Sequence, residues 1–231
     1  GESEDYLLHI DPRPQPRWDF GDAPDSSVAL GYPTLLFNNG ARHVLMAGGP
    51  IMGAIVDPEP DGQPNIPADG DDIDLLYPSM GDDEDGVTFT TPLIQGQNAS
   101  VDVITPTGGV LDAWVDFNGN NSWADAGEQI AISVPLVNLA PAVNTIVFSV
   151  PNAATVGPTY ARFRISANGG LNYDGPAPDG EVEDYRVEIE PGEEPEEWLK
   201  FQQLPLDGPR YWGHDELSTA YRNEMMPEWF E

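Results

Sequence analysis

Short apolar runs that alternate with polar residues fill the middle of the chain, and glycine and proline separate them. The clearest alternation lies in residues 100–105, where Val101 and Val103 share one face. A period of two is typical of a strand with one buried face. The runs that fit this pattern are 87–90, 100–105, 110–117, 129–134, 145–150, 159–166 and 182–189. Strands this short and this regularly spaced predict an all-β fold, an Ig-like or jelly-roll antiparallel β-sandwich.

Two regions fit this pattern less well. In 159–166, Tyr160, Phe163 and Ile165 cannot share one face without a bulge. The region 18–85 is rich in loops, and only 41–49 and 51–57 look like strands there. Loops this long inside a compact domain need a stabiliser of their own, so we expect them to bind cations.

The opening decad, GESEDYLLHI (1–10), nearly repeats GEVEDYRVEI (180–189). Such a repeat has two explanations. The decad is the last strand of a preceding copy of the module, or it is a donor strand that completes the sheet of a neighbouring subunit. In the second case its assembly residues are Glu4, Tyr6, Leu8 and Ile10, and repeated head-to-tail contacts produce a filament.

Composition divides the chain into five parts. They are the strand 1–10, a proline-rich linker 11–17, the predicted sandwich 18–190, an acidic linker 191–197 and an aromatic segment 198–231. We expect the last segment to lie outside the sandwich.

The charge is strongly unbalanced, with 40 acidic and 9 basic residues, a net charge of −31 and a pI near 4.1. No Lys or Arg occurs from His43 to Ala161, although sixteen acids do. This composition argues against nucleic acid and anionic membranes as partners. It favours bound cations, because carboxylates without basic partners repel each other. The chain has no cysteine, which excludes disulfides and thiolate metal sites, and no run is long enough to insert in a membrane.

The most specific candidate site is DFNGNNSWADAGE (116–128). Oxygen-bearing side chains recur at alternate positions and close on two acids: Asp116, Asn118, Asn120, Ser122, Asp125 and Glu128. Alternate oxygens on a glycine-containing loop can surround Ca²⁺, which takes six to eight oxygen ligands. Strands flank the loop, so we predict a calcium loop within a hairpin. The alternative is an Asn/Gly-rich turn without an ion.

Two further groups of acids are candidates for a second and a third cation site. The second comprises Asp57, Glu59, Asp61, Asp69, Asp71, Asp72, Asp82, Asp83, Glu84 and Asp85. The third gathers Asp19, Asp22 and Asp25 near Glu181, Glu183 and Asp184. The alternative for the second is a solvated loop. For the third it is ordinary sheet packing, with Tyr185 in the core and the acids in solvent.

Several motifs, in their order along the chain, resemble GEVED-type modules: DFGDAPD, GARHV, VDPEPDGQP, GDDEDGV, WVDFNGNNSWADAGEQI, TYARFRIS and GEVEDY. The resemblance covers about 18–189. It implies a β-sandwich repeat of very large secreted or cell-surface bacterial proteins, including those of planctomycete-like organisms. Such modules serve in adhesion or as scaffolds, which implies that neighbouring modules or copies of the chain are its partners.

These observations predict a calcium-stabilised extracellular module, structural or adhesive in role, that assembles into filaments in its donor-strand version. The alternative is a calcium-dependent carbohydrate-binding module for a surface polysaccharide, with exposed Trp114, Trp123 or Trp212 stacking on sugars. We do not expect an enzyme. The three histidines are scattered, no GxSxG, HExxH or P-loop motif occurs, and His43 is expected to be buried or hydrogen-bonded.

Overall fold

Strands make up 41% of the computed structural model, which describes residues 1–2, 17–25, 31–70, 84–140 and 142–192. The described residues contain one short 3-10 turn, Leu36–Asn38, and no α-helix. No helix among them is long and apolar enough to cross a membrane. The chain divides into two compact units, Gly1–Gly192 and Glu193–Glu231, and the second lies outside the described residues.

Eleven strands occur in the described part of the first unit. They are β1 Trp18–Phe20, β2 Arg42–Val44, β3 Val87–Phe89, β4 Leu93–Ile94, β5 Asn98–Ile104, β6 Gly109–Val115, β7 Gln129–Leu136, β8 Val143–Ser149, β9 Gly157–Ser166, β10 Pro176–Ala177 and β11 Glu181–Glu190. They form a five-stranded sheet in the order β4-β11-β9-β6-β7 and two three-stranded sheets, β3-β5-β8 and β1-β2-β10. Pairing is antiparallel except between β4 and β11 and between β2 and β10.

The main hydrophobic core is shared by the five-stranded sheet and the β3-β5-β8 sheet. From β5 come Val101 and Val103, and from β9 come Phe163 and Ile165, all fully buried. The burial of one face that alternation predicted is confirmed for these strands, since every second residue of each strand lies in the core. The arrangement is consistent with a β-sandwich.

All seven strands predicted from alternation are present. The predicted strand at 51–57 is wrong, since no strand forms there, and 41–49 contributes only the three residues of β2. Strand β9 pairs without interruption with both β6 and β11. No bulge is needed in β9, because Tyr160 lies on its opposite face from Phe163 and packs on Tyr32. The register shifts lie instead between β6 and β7.

The five-stranded sheet is buried on both faces along β6 and β9. On the face away from the main core, Trp114, Trp123, Tyr32 and Ala23 form a second apolar cluster. Residues of the loop-rich segment 17–70 cover this face. This covering places polar side chains of β9 and β11 inside the protein.

Candidate metal centre

The loop between β6 and β7 is organised by its first acidic residue. Asp116 is fully buried. Its Oδ1 accepts the N–H of Gly119 at 2.7 Å and that of Asn120 at 3.3 Å. Its Oδ2 accepts the N–H of Asn121 at 2.9 Å and the hydroxyl of Tyr32 at 2.7 Å. Both oxygens thus hold the loop in shape, as expected of an Asp that begins a tight turn.

A second acid gathers the two asparagine amides. Asp125 Oδ2 accepts Nδ2–H from Asn118 at 3.0 Å and from Asn120 at 2.6 Å. These two bonds lower the pKa of Asp125 below its usual value. The side chains of Asn118, Asn120 and Asp125 therefore meet at one point of the loop. Rotating an amide by 180° exchanges its nitrogen for its oxygen, which would turn a donor at this point into a cation ligand.

Glu128 closes the loop from inside. Its side chain is 2% exposed, and its Oε2 accepts the N–H of Asp125 at 3.2 Å. Among the described residues, its buried Oε1 has no hydrogen-bond partner, although the backbone N–H of Asn118 acts on the carboxylate and lowers its pKa. Burial, followed by the nearby charge of Asp116, raises the pKa of Glu128 to about 7. A buried carboxylate oxygen that lacks a donor is costly, and a bound cation would remove the cost.

A small pocket adjoins these groups. It has a volume of about 180 Å³, and Asn118, Asp125 and Glu128 line it together with the apolar Phe117 and Ala154. The pocket brings two carboxylates and an amide to one place, within reach of the loop surface.

The structure brings together four of the six predicted ligands: Asn118, Asn120, Asp125 and Glu128. Asp116 is committed to the loop backbone, and Ser122 Oγ accepts the N–H of Ala124 at 3.1 Å instead of turning toward Asp125. Among the described residues, no three or more His, Cys, Asp or Glu side chains converge as metal ligands. A metal at this loop would therefore depend on amide oxygens as well as carboxylates.

The acids of β11 lie on the two faces of the strand. Glu181 and Glu183, both 1% exposed, accept the backbone N–H groups of Met52 and Gly86. Asp184 points to the other face and accepts the N–H of Ala23 at 2.8 Å. In each case β11 binds a loop that is distant in the sequence.

Comparison with known families gives one match. Residues 110–188 fit the family model described as the GEVED domain. This range, about a third of the chain, matches the GEVED domain that the sequence motifs resemble. No curated protein and no solved structure matches the chain. The residues Gly180–Asp184 spell the five letters of the family name, and the matched range includes the whole candidate calcium loop.

One acid of the third predicted cation site, Asp184, already binds a positive charge, which is that of an arginine. Arg162 on β9 binds Asp184 through Nε–H at 2.7 Å and through a second guanidinium nitrogen at 2.6 Å, and both side chains are fully buried. The same guanidinium lies 4.5 Å from the centre of the Trp123 ring. The alternative of ordinary sheet packing placed these acids in solvent, but five of the six are buried and Asp25 is half-buried.

The remaining acids of that group also bind backbone. Asp19 accepts the N–H of Val182 at 2.6 Å. Asp22 accepts that of Gln63 at 3.1 Å. Asp25 accepts those of Thr34 at 2.9 Å and Leu35 at 2.7 Å. These contacts attach β1 and the loops after it to the sheet.

The second predicted group is spread over several loops. Asp71, Asp72, Asp82 and Asp83 lie outside the described residues. Of the others, Asp57 and Glu59 are buried, Asp61, Asp69 and Glu84 are half-buried, and Asp85 is exposed. Glu59 accepts Phe20 N–H at 2.8 Å, Asp61 accepts Leu36 N–H at 2.6 Å, and Asp85 accepts Ala54 N–H at 2.8 Å. Asp69 accepts the side-chain amide of Asn65 at 2.8 Å. These acids thus bind different segments of the chain.

Sequence reasoning missed a buried basic pair on β9. Arg164 is fully buried beside Arg162. It donates to three backbone carbonyls, those of Asn172, Asp174 and Gly175, and to His43 Nε2 at 3.0 Å. Burial, followed by the charge of Arg162, lowers its pKa to about 9. The available signal was the alternation of two arginines on one face of a strand, directly after the long stretch without basic residues.

His43 is buried and hydrogen-bonded, as predicted. Its Nδ1 lies 2.7 Å from the carbonyl oxygen of Asp179, while its Nε2 accepts from Arg164. This pattern fixes the neutral tautomer with the proton on Nδ1. Burial, followed by the charges of Arg164 and Arg162, holds the pKa of His43 well below its ordinary value.

Two of the three tryptophans proposed as sugar platforms are inside the GEVED domain. Trp114 is 3% exposed and Trp123 is 2% exposed. Trp123 packs on Tyr32, with ring centres 4.2 Å apart, and donates its indole N–H to Tyr160 O. Neither ring can stack on a sugar. Trp212 lies outside the described residues.

Proposed function

We propose that this GEVED domain is a calcium-stabilised structural module of an extracellular surface protein, an Ig-like or jelly-roll sandwich with calcium-binding loops. The observation that carries the proposal is Glu128, a buried carboxylate whose Oε1 has no hydrogen-bond partner among the described residues. Glu128 lines a pocket together with Asp125 and Asn118. Ca²⁺ is the hard cation that prefers such oxygens.

Glu128 and Asp125 would supply the charge of this centre, and the amide oxygens of Asn118 and Asn120 would complete it. Asp116 would not bind the ion itself. It would position the ligands, because its oxygens hold the backbone of the loop. Two carboxylates and two neutral amides make a site of modest charge, which is typical of the weak calcium sites of extracellular modules. Such a site is filled in millimolar calcium outside the cell, which supports the extracellular assignment.

Two features support a structural role over carbohydrate binding. The buried Trp114 and Trp123 contribute to packing. The buried acids of β1 and β11 fasten loops to the sheet. Partners of such a module are neighbouring modules or copies of the same chain, joined by strand addition in the filament version of the proposal.

Thermal unfolding in millimolar calcium and after chelation tests the calcium proposal. Calcium that binds only the folded state must raise the melting temperature. We expect Asp125→Asn to reduce this rise strongly. We expect the matched control Asp102→Asn, a half-buried acid of β5 that lies outside the loop, to keep it. A melting temperature that chelation leaves unchanged would refute calcium as a stabiliser. An equal calcium response in both variants would place the ion elsewhere.

A further inference from the structure

The structure shows which residues of β11 attach it to the rest of the domain. Five positions do so through side chains or buried packing. They are Glu181, Glu183, Asp184, Tyr185 and Ile189. Glu181 and Glu183 accept the loop N–H groups of Met52 and Gly86, and Asp184 pairs with Arg162. Tyr185 donates its hydroxyl to Glu183 at 2.9 Å and packs on Phe89 and Phe163. Ile189 is fully buried in the main core.

The decad 1–10, of which residues 3–10 lie outside the described residues, repeats these five residue types at the same spacing. Glu2, Glu4, Asp5, Tyr6 and Ile10 correspond to Glu181, Glu183, Asp184, Tyr185 and Ile189. Gly1 likewise corresponds to Gly180, where φ is +95° and a Cβ would lie 1.8 Å from the carbonyl oxygen of Ile165. A left-handed glycine in so tight a place is required at the start of β11.

The differences between the decad and β11 fall mostly at exposed positions. Arg186 and Glu188 are exposed, and Leu7 and His9 correspond to them. Val187 is half-buried, and its counterpart Leu8 is also apolar. The one change at a buried position is Val182, which is 2% exposed and corresponds to Ser3. A sequence that keeps the contacts of a strand and varies its exposed positions is suited to the same place in the same fold.

We propose that residues 1–10 are a second β11, which fills the β11 position beside β9 of another copy of this GEVED domain. Within its own domain that position is taken, because 181–190 pairs with β9 over nine residues. The decad must therefore act on a copy whose own β11 is displaced. This inference rests on the proposed structural role, and it names the partner and the position of the strand addition.

Cysteine cross-linking tests the predicted register, because the chain has no cysteine of its own. Glu188 of β11 faces Pro158 of β9, and both are exposed. The inference therefore places His9 of one copy opposite Pro158 of another. The donor is the full chain with His9→Cys and a size tag. The acceptor is the full chain with Pro158→Cys and with Asp184→Asn, which weakens its own β11.

We expect a disulfide-linked heterodimer on a non-reducing gel. Adding Asp5→Asn to the donor should reduce its yield about tenfold or more, because Arg162 of the acceptor then lacks its carboxylate. A donor with Leu8→Cys in place of His9→Cys should cross-link poorly, since neighbouring residues of a strand point to opposite faces. No heterodimer, or equal yields from all donors, would overturn the inference.

A second acceptor removes the risk that Asp184→Asn prevents folding. It carries Pro158→Cys alone and is refolded from urea together with the donor, so that the decad and β11 compete for the same position. The heterodimer should form in lower yield and remain sensitive to Asp5→Asn. If the heterodimer fails to form with this second acceptor as well as with the first, the inference is refuted. The calcium-dependent melt of the same acceptor reports on the loop 116–128, so failure of the strand inference is distinguishable from failure of the calcium proposal.

Discussion

Replacing Glu128 by glutamine should stabilise the domain when calcium is absent, and calcium should narrow this advantage of the variant. The ordinary pKa of a Glu is 4.5, and in the folded protein the pKa of Glu128 is raised to about 7. Above pH 7 the folded state therefore holds an ionised carboxylate with one oxygen unpartnered. A difference of this size corresponds to about 3 kcal/mol of lost stability in the absence of a cation.

The sign of the pH dependence follows from the direction of the shift. Between the unfolded and folded pKa values, the folded state binds the proton more tightly than the unfolded chain. Stability from this group is therefore highest at low pH and falls as pH rises from about 4.5 to about 7. Glu128→Gln removes this dependence while keeping an amide oxygen that can accept the N–H of Asp125.

In chelator at about pH 8, Glu128→Gln should therefore melt above the wild type, by roughly 6–12 °C for a loss of about 3 kcal/mol. The advantage should shrink as pH falls toward about 5. In millimolar calcium the wild type should gain roughly 1–2 kcal/mol from a site of extracellular affinity, and the variant should gain little.

Differential scanning calorimetry measures the melting temperatures of the wild type and the variant under four conditions: at two pH values, each with calcium and with chelator. Glu188→Gln is the control, because Glu188 is an exposed acid of β11, and it should change stability by less than about 0.5 kcal/mol. Should Glu128→Gln melt below the wild type in chelator at high pH, a protein group stabilises the ionised form and our reasoning about Oε1 is wrong. A calcium response that survives the substitution would remove Glu128 from the centre.

Three other predictions concern the buried framework. Asp184→Asn should lower the free energy of unfolding by about 3 kcal/mol or more, measured by urea denaturation, because it leaves Arg162 buried without its carboxylate; a loss below 1 kcal/mol would contradict this. Gly180→Ala and Gly127→Ala form a matched pair, with φ of +95° and +93°, but a Cβ clashes with β9 backbone only at Gly180. Gly127→Ala should cost about 1 kcal/mol and Gly180→Ala several times more, and equal costs would refute the clash. Because burial lowers the pKa of His43, its contribution to stability should fall as pH drops below about 6.5; a urea midpoint that His43→Gln leaves equally sensitive to acid would assign the loss to other groups.

Alternation in the sequence was sufficient to predict the seven main strands. Val101, Val103, Phe163 and Ile165 show a period of two that local chain geometry enforces, so their burial could be predicted without tertiary information. The short strands β1, β4 and β10 have two or three residues each. These three segments lack an alternating run such as the one that predicted β3 at 87–90, and they exist because neighbouring segments dock against them.

The second buried face could not be predicted in the same way. Arg162, Arg164 and Asp112 look like the solvent-facing residues of half-buried strands. Their partners are elsewhere in the chain: Arg162 binds Pro33 O and Arg164 binds His43, each more than 120 residues away. A pattern read along the chain contains no information on such pairings.

The candidate calcium loop was predictable as a loop and as a set of ligand types. The sequence does not distinguish Asp116, whose oxygens hold the loop backbone, from Glu128, whose Oε1 has no hydrogen-bond partner among the described residues. Both are buried acids at the ends of the same loop, and only the directions of nearby N–H groups separate their roles.

The attachment of loops to β11 bears on where the folding unit begins. The family match starts at residue 110, whereas the acids of β11 find their donors at Ala23, Met52 and Gly86. A fragment limited to 110–188 would keep Glu181, Glu183 and Asp184 and lose every one of those donors. The part that matches the family model is thus incomplete by itself, and the loop-rich segment before it is as much a part of the interior as the strands are.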